Sequence, residues 1–107
     1  MKQISAPDLA AWLADAGRER PVLLDVREPW EYEKARIEGA RLVPMSEVPG
    51  RLAELDQDRE VVAICHHGGR SAQVAMLLEK AGYTKVHNLL GGVDAWSRTV
   101  DPTVPLY

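Results

Sequence analysis

The only cysteine of the chain, Cys65, lies where its thiol could act as a nucleophile. Residues 61–64 before it are all apolar, which is typical of a short strand buried on both faces. Residues 74, 77, 78 and 81 after it are apolar at the spacing of one helix face. Cys65 is therefore predicted to lie where a buried strand ends and a helix is about to begin.

The loop between this strand and this helix holds residues suited to stabilising negative charge: His66, His67, Gly68, Gly69, Arg70 and Ser71. The two glycines let the backbone curl so that N–H groups point inward, and the helix adds the positive end of its dipole. Arg70 supplies a permanent cation, and Ser71 adds a hydroxyl. Because a helix N-terminus or a nearby cation lowers a thiol pKa to between about 3.5 and 7.5, the loop favours a reactive thiolate. The alternative is that Cys65 is inert packing, as lone cysteines often are.

The length of 107 residues predicts one domain, residues 1–107, with its own hydrophobic core. The hydrophobic content of 46% and the charged content of 27% are typical of a globular protein. A single cysteine leaves no second thiol in the chain for a disulfide, a redox pair or a thiolate zinc site, so a reducing cytoplasm is the expected location. We predict no metal and no cofactor.

Charge and hydropathy argue against two classes of partner. The net charge of -3 comes without a basic run, so nucleic-acid binding is not predicted. The first eight residues lack the apolar core of a signal peptide, and no stretch approaches about 18 consecutive apolar residues. We therefore expect neither export nor membrane insertion, and we expect the partners to be small molecules or proteins.

Predicted strands and helices alternate along the whole chain. This order predicts an α/β fold in which helices cover both faces of a central, twisted parallel β-sheet. Residues 21–25 form one predicted strand, and parallel strands end at the edge where such sheets bind ligands. Asp25 and Arg27 are therefore expected to border the loop after Cys65. Residues 98–107 are predicted to be an extended tail, since each proline disfavours helix in the residue before it.

Four blocks of this sequence resemble the single-domain rhodanese (sulfurtransferase) family, in the right order. They are LDVREPWEY at 24–32, IEGA at 37–40, CHHGGRS at 65–71 and LGGVDAW at 90–96. The second block departs from the common family pattern, because Arg36 replaces a histidine and Glu38 a proline. The resemblance implies a rhodanese-like fold across most of the chain.

The resemblance also implies an activity and a role for the loop. Cys65 would take a sulfane sulfur from thiosulfate or a persulfide donor and carry it as a persulfide. The amides of residues 66–71 would hold that persulfide until a thiophilic acceptor, such as a sulfur-carrier protein, removes the sulfur. In rhodaneses the Asp-x-Arg element borders the catalytic loop, which favours a supporting or donor-binding role for Asp25 and Arg27. Two simpler roles stay open: Asp25 as a cap of the segment 29–34, and Arg27 in a solvated turn.

Two other functions compete with sulfur transfer. A non-catalytic rhodanese-like interaction module typically lacks the cysteine, whereas this chain keeps Cys65, Arg70 and Ser71 together. A cysteine phosphatase or arsenate reductase of similar fold uses a loop one residue longer, C-x-x-x-x-x-R, which can surround a tetrahedral oxyanion. The spacing from Cys65 to Arg70 is shorter and favours transfer of a single sulfur atom.

The two histidines of the loop have several possible roles. His66 and His67 could bind the donor, transfer a proton, ligate a metal or only line the loop. Adjacent side chains in a curled loop are expected to diverge, which disfavours a shared metal ion. Histidine is mostly uncharged at neutral pH, its unperturbed pKa being about 6.5, so Arg70 is the one assured cation of the loop. We therefore expect dianionic thiosulfate to be a modest donor.

Overall fold

A single sheet of five parallel strands organises the chain, all 107 residues of which are described by a computed structural model. The strands are β1 (Lys2–Ile4), β2 (Val22–Asp25), β3 (Arg41–Leu42), β4 (Val61–Ile64) and β5 (Val86–Leu89). Their spatial order is β1-β5-β4-β2-β3, and every neighbouring pair is parallel. The predicted α/β class with a central parallel sheet is confirmed.

Helical segments cover both faces of this sheet. They are α1 (Ala6–Ala14), α2 (Pro29–Lys34), a 3₁₀ helix (Met45–Glu54), α3 (Gly69–Lys80) and α4 (Gly92–Thr99). One core cluster packs α3 and the 3₁₀ helix on one face, and a second packs α1 and α4 on the other. No helix in the chain combines the length and apolar character that crossing a bilayer requires.

The central strand β4 fixes the position of Cys65. Its four residues are almost wholly buried, and their side chains alternate between the two core clusters. Val61, Ala63 and Cys65 face α3, whereas Val62 and Ile64 face α1 and α4. Since full burial of a Val or Ile side chain contributes about 1.5–3 kcal/mol, the strand is held firmly on both sides. Cys65 therefore directly follows a strand that is packed on both faces.

The structure differs from the sequence prediction at both ends of the chain. Strand β1 was not predicted, because its three residues form no apolar run. It is an edge strand of the sheet and pairs with β5. The prediction of an extended tail over 98–107 is wrong in two respects. Helix α4 continues through Thr99, and a turn follows in which the Val104 N–H donates to the Asp101 carbonyl (3.1 Å). The chain then returns to the carboxyl end of β2, where Tyr107 contacts Arg27.

Candidate functional site

The backbone around Cys65 is held by the start of α4. The Val93 N–H donates to the Cys65 carbonyl (2.9 Å), and the Asp94 N–H donates to the His66 carbonyl (3.1 Å). This approach requires Gly92: its φ is +59°, and an added Cβ would lie 2.3 Å from the Cys65 carbonyl oxygen. In the sequence this glycine appears only as part of the block LGGVDAW. It is a site residue, because it lets α4 meet the backbone that carries the thiol.

Uncharged hydrogen-bond donors surround the Cys65 sulfur. The Gly68 N–H lies 3.0 Å from Sγ and the Ser71 hydroxyl 3.3 Å from it, while Cys65 is only 1% exposed. Burial raises the pKa of the Cys65 thiol, but hydrogen bonds from the Ser71 hydroxyl and from the amides of Ser71, Gly68 and His67 outweigh it. The pKa of Cys65 is therefore lowered, and the site favours a thiolate.

Asn88 on β5 completes this arrangement and was missed in the sequence. Its side-chain carbonyl oxygen and Cys65 Sγ both lie within hydrogen-bond distance of the Ser71 hydroxyl, which shares its single proton between them. The Asn88 amide nitrogen donates to the Gly68 carbonyl (3.1 Å) and to Gln3 (2.9 Å). Asn88 thereby fixes both groups that contact the sulfur. The available signal was a polar residue inside a wholly buried four-residue strand. We name Cys65, Gly68, Ser71 and Asn88 the sulfur cradle.

The two loop glycines have different roles. Gly68 has φ +105°, and a Cβ there would lie 3.3 Å from the Leu89 carbonyl oxygen. Gly69 is the first residue of α3, and a Cβ added there would have no neighbour within 4 Å. The expectation that both glycines are needed for the curl of the loop is therefore wrong for Gly69. The backbone turn depends on Gly68.

Arg70 is paired and does not contact the sulfur. Its Nη1 and Nη2 lie 2.7 and 2.8 Å from the two carboxylate oxygens of Glu31 on α2. This pair holds the pKa of Glu31 at about 2, so the carboxylate stays charged. The pKa of Arg70 is raised, mainly by Glu31 and to a smaller degree by the charge of Cys65. Arg70 is a cation as predicted, but Glu31 compensates its charge, and the nearest stabilisation of the thiolate comes from Ser71 and the amides.

A buried ion pair lies behind Arg70. The Arg27 side chain is 0% exposed, and its Nε and Nη2 lie 2.9 and 2.7 Å from the Asp25 carboxylate. Arg27 Nη1 also donates to the Tyr107 hydroxyl (2.6 Å), which donates to Glu31 (2.9 Å). We name Asp25, Arg27, Glu31, Arg70 and Tyr107 the charged network.

The two simpler roles considered for Asp25 and Arg27 are both wrong. The cap of α2 is Glu28 and not Asp25, and Arg27 lies in no solvated turn. Both side chains are fully buried, and Arg27 contacts Glu31 and Tyr107, so neither reaches the rim of the loop. Their supporting role stays a prediction. Direct donor binding by Arg27 would require that Tyr107 move away.

The rings of the two loop histidines lie together and do not diverge as expected. The ring centroids of His66 and His67 are 3.8 Å apart, and His66 also stacks on Tyr107 at 3.8 Å with a 9° angle between the planes. Burial and the neighbouring His67 lower the pKa of His66, so its ring is neutral at pH 7. His66 Nε2 is buried without a hydrogen-bond partner.

His66, His67 and Asp94 are the one set of side chains that could hold a metal ion, with ligand atoms within 4.8 Å of one another. The His66 ring is packed against Tyr107, and its plane is tilted by 34° from that of the His67 ring. Asp94 also pairs with Arg98 at 3.0 Å. The arrangement does not favour metal binding, and the absence of a metal stays a prediction.

Comparison with known proteins shows the family and fold of the chain. The family described as Rhodanese-like domain matches residues 5–99. A protein named sulfurtransferase from Allochromatium vinosum is 38% identical over 104 residues, which cover 97% of this chain and 95% of that protein. A rhodanese-like domain protein from Staphylococcus aureus has the same fold, with a TM-score of 0.85 at 29% identity over 100% of this chain and 99% of that one.

A larger relative places a similar domain in a longer protein. The probable adenylyltransferase/sulfurtransferase MoeZ of Mycobacterium tuberculosis is 39% identical over 106 residues, which cover 97% of this chain. This chain spans only 26% of that relative's length. The family match, the shared fold and the relatives named sulfurtransferase agree with the resemblance seen in the sequence. The chain belongs to the rhodanese-like domain family.

Proposed function

We propose that this protein is a sulfurtransferase that carries a sulfane sulfur on Cys65 as a persulfide. The observation that carries the proposal is the sulfur cradle, in which Gly68 and Ser71 lie 3.0 and 3.3 Å from Sγ and the thiol pKa is lowered. A thiolate held by fixed amides and a hydroxyl is an activated nucleophile. Such donors stabilise the anionic sulfur before and after it accepts a second sulfur atom.

The proposed reaction has two displacement steps. The Cys65 thiolate attacks the outer sulfur of the donor, a new S–S bond forms, and the donor S–S bond breaks with its electron pair. The leaving group is sulfite from thiosulfate or a thiolate from an organic persulfide. A thiophile such as cyanide or a sulfur-carrier protein then attacks the outer sulfur of the Cys65 persulfide and regenerates the thiolate. These two reaction steps need no oxidant, metal or cofactor.

The shape of the site supports sulfur transfer over oxyanion chemistry. The Gly68 N–H lies 3.0 Å from Sγ, and the loop from Cys65 to Arg70 is one residue shorter than C-x-x-x-x-x-R. A tetrahedral phosphate or arsenate needs a loop that surrounds four oxygens. A donor that presents one terminal sulfur atom needs a smaller loop.

Intact mass tests the proposal. The purified protein is measured before and after incubation with thiosulfate or an alkyl persulfide, and again after cyanide, with Cys65→Ser in parallel. We expect a gain of roughly 32 Da that cyanide removes and that the variant lacks, since only an activated thiolate forms the persulfide. Circular dichroism of the variant controls for folding. No gain from either donor would overturn the proposal and favour a non-catalytic interaction module.

A further inference from the structure

Two charges beside the thiol cancel each other. Arg70 is the only arginine or lysine among residues 66–71, and both of its terminal nitrogens are occupied by the Glu31 carboxylate. Behind this pair, Arg27 and Asp25 cancel in the same way. The charged network therefore has no net charge, although it contains four ionised groups.

Glu31 is held so that it stays ionised and in place. Its side chain is 4% exposed and accepts hydrogen bonds from Arg70, from the Tyr107 hydroxyl and from the Glu28 N–H (3.1 Å). Its carboxylate is therefore fixed on the side of Arg70 that faces away from solvent, while Arg70 itself is 38% exposed.

The other ionised group close to the loop does not restore positive charge. Asp94 lies near His66 and His67, and it pairs with the exposed Arg98. A thiosulfate dianion that approaches the Cys65 thiolate meets repulsion and no uncompensated cation. An organic persulfide carries at most one negative charge at its reacting end, so the same approach costs it less.

We infer that Glu31 is a specificity-determining residue which, by neutralising Arg70, disfavours dianionic donors such as thiosulfate and favours organic persulfides. The inference rests on the proposed function, because it concerns the donor of the same displacement step. Glu31 acts through Arg70 and does not touch the reacting sulfur atoms. By neutralising Arg70, Glu31 sets the net charge beside the thiol that the donor approaches.

A cycle of four proteins isolates the charge of each residue. The proteins are the wild type, Glu31→Gln, Arg70→Gln and the double variant Glu31→Gln/Arg70→Gln. For each, kcat/KM is measured at pH 7 with thiosulfate and with the persulfide of an uncharged alkyl thiol, with cyanide as acceptor. The readout is the ratio of the two kcat/KM values, which cancels any general loss of activity. Tyr107→Phe is the matched control, since it removes one hydrogen bond to Glu31 without changing its charge.

Glu31→Gln should raise the thiosulfate-to-persulfide ratio about tenfold, mainly through a lower KM for thiosulfate. Arg70→Gln should lower the ratio by a similar factor, and the double variant should return it to near the wild-type value. The changes should shrink as salt is raised from about 0.01 to 1 M, because salt screens charges near the surface. Tyr107→Phe should leave the ratio within about twofold.

A merely structural role for Glu31 predicts a different result. Both donors would then lose activity in parallel in Glu31→Gln, the ratio would not change, and the inference would be overturned. If Glu31→Gln does not fold, the fall expected for Arg70→Gln decides the matter, and an unchanged ratio there overturns the inference. A wild-type protein that accepts sulfur from neither donor would overturn the proposed function itself, which is a separate failure.

Discussion

The sulfur cradle and the charged network lie side by side but handle charge in opposite ways. The cradle stabilises one negative charge with an amide, a hydroxyl and no ionised partner in contact with Sγ. The network brings four ionised side chains together, and they cancel in pairs. Fixed dipoles stabilise the anionic sulfur in the cradle, whereas the cancelled charges of the network hold segments of chain together.

The segments that the network joins show what it does. Asp25 ends β2, Glu31 lies on α2, Arg70 lies in the first turn of α3 and Tyr107 lies beyond α4. Their hydrogen bonds link residues up to 80 positions apart. The cradle by contrast uses residues of one loop and the neighbouring strand β5. The comparison therefore predicts that changes to the buried Asp25–Arg27 pair of the network affect mainly stability, and that cradle changes affect mainly the thiol.

The largest expected effect on stability comes from breaking the buried pair. Arg27→Met leaves the Asp25 carboxylate buried without its cation, which costs about 3–5 kcal/mol in the free energy of unfolding. Urea denaturation measures this loss. In the protein that remains folded, the pKa of Cys65 should change less than in a cradle variant, because Arg27 makes no contact with Sγ.

Two variants control for the size of that loss. Arg98→Met removes an arginine from an exposed pair with Asp94 and should change the unfolding curve little. Asp25→Asn/Arg27→Met removes both charges and should be more stable than Arg27→Met alone. If the double variant is no more stable than the single one, the loss comes from packing and not from an unpaired charge.

The next effect concerns the chemistry of the thiol. Ser71→Ala removes the hydroxyl that lies 3.3 Å from Sγ and helps to lower the pKa of Cys65. A hydrogen bond to a charged group contributes about 1.5–3 kcal/mol, so the pKa of Cys65 should rise by about one to two units. Fewer molecules then carry a thiolate at pH 7. The rate of iodoacetamide alkylation as a function of pH measures this shift.

The chain contains a matched control for this substitution. Ser97 is also buried, but its hydroxyl has no hydrogen-bond partner. Ser97→Ala should therefore leave the alkylation profile unchanged. An equal shift in both variants would mean that Ser71 acts through general packing, and the assignment of the cradle would be contradicted.

The sequence predicted the cradle far better than the network. Cys65, Gly68 and Ser71 lie within seven consecutive residues between a strand and a helix, so local patterns were enough to bring them together. The apolar runs and helical spacings likewise predicted β2, β4 and α3, each within a few residues of its observed bounds. Patterns over a few consecutive residues therefore predict the strands, the helix and the loop that those residues form.

The partners of Arg70 and Arg27 could not be found in this way. The Glu31–Arg70 pair spans 39 residues and the Arg27–Tyr107 contact spans 80, and no periodicity encodes such distances. The sequence contained several carboxylates that could have paired with Arg70. The choice of Glu31 depends on how α2 packs beside the loop, which is a property of the assembled fold. Strand β1 was missed for a similar reason, since its pairing with β5 defines it.

The smallest expected effect separates the two glycines of the loop. Gly68→Ala places a Cβ at φ +105° and 3.3 Å from the Leu89 carbonyl oxygen, so it should destabilise the protein by about 1–2 kcal/mol. It should also raise the pKa of Cys65, because the strained turn moves the Gly68 N–H from Sγ. Gly69→Ala places its Cβ in open space at an ordinary helical φ and should stabilise the protein by about 0.4–1 kcal/mol, with no change in the pKa. Urea denaturation and pH-dependent alkylation of both variants test this contrast. Equal losses would show that the loop needs two glycines, and that the hydrogen bond from Gly68 does not depend on the turn at that residue alone.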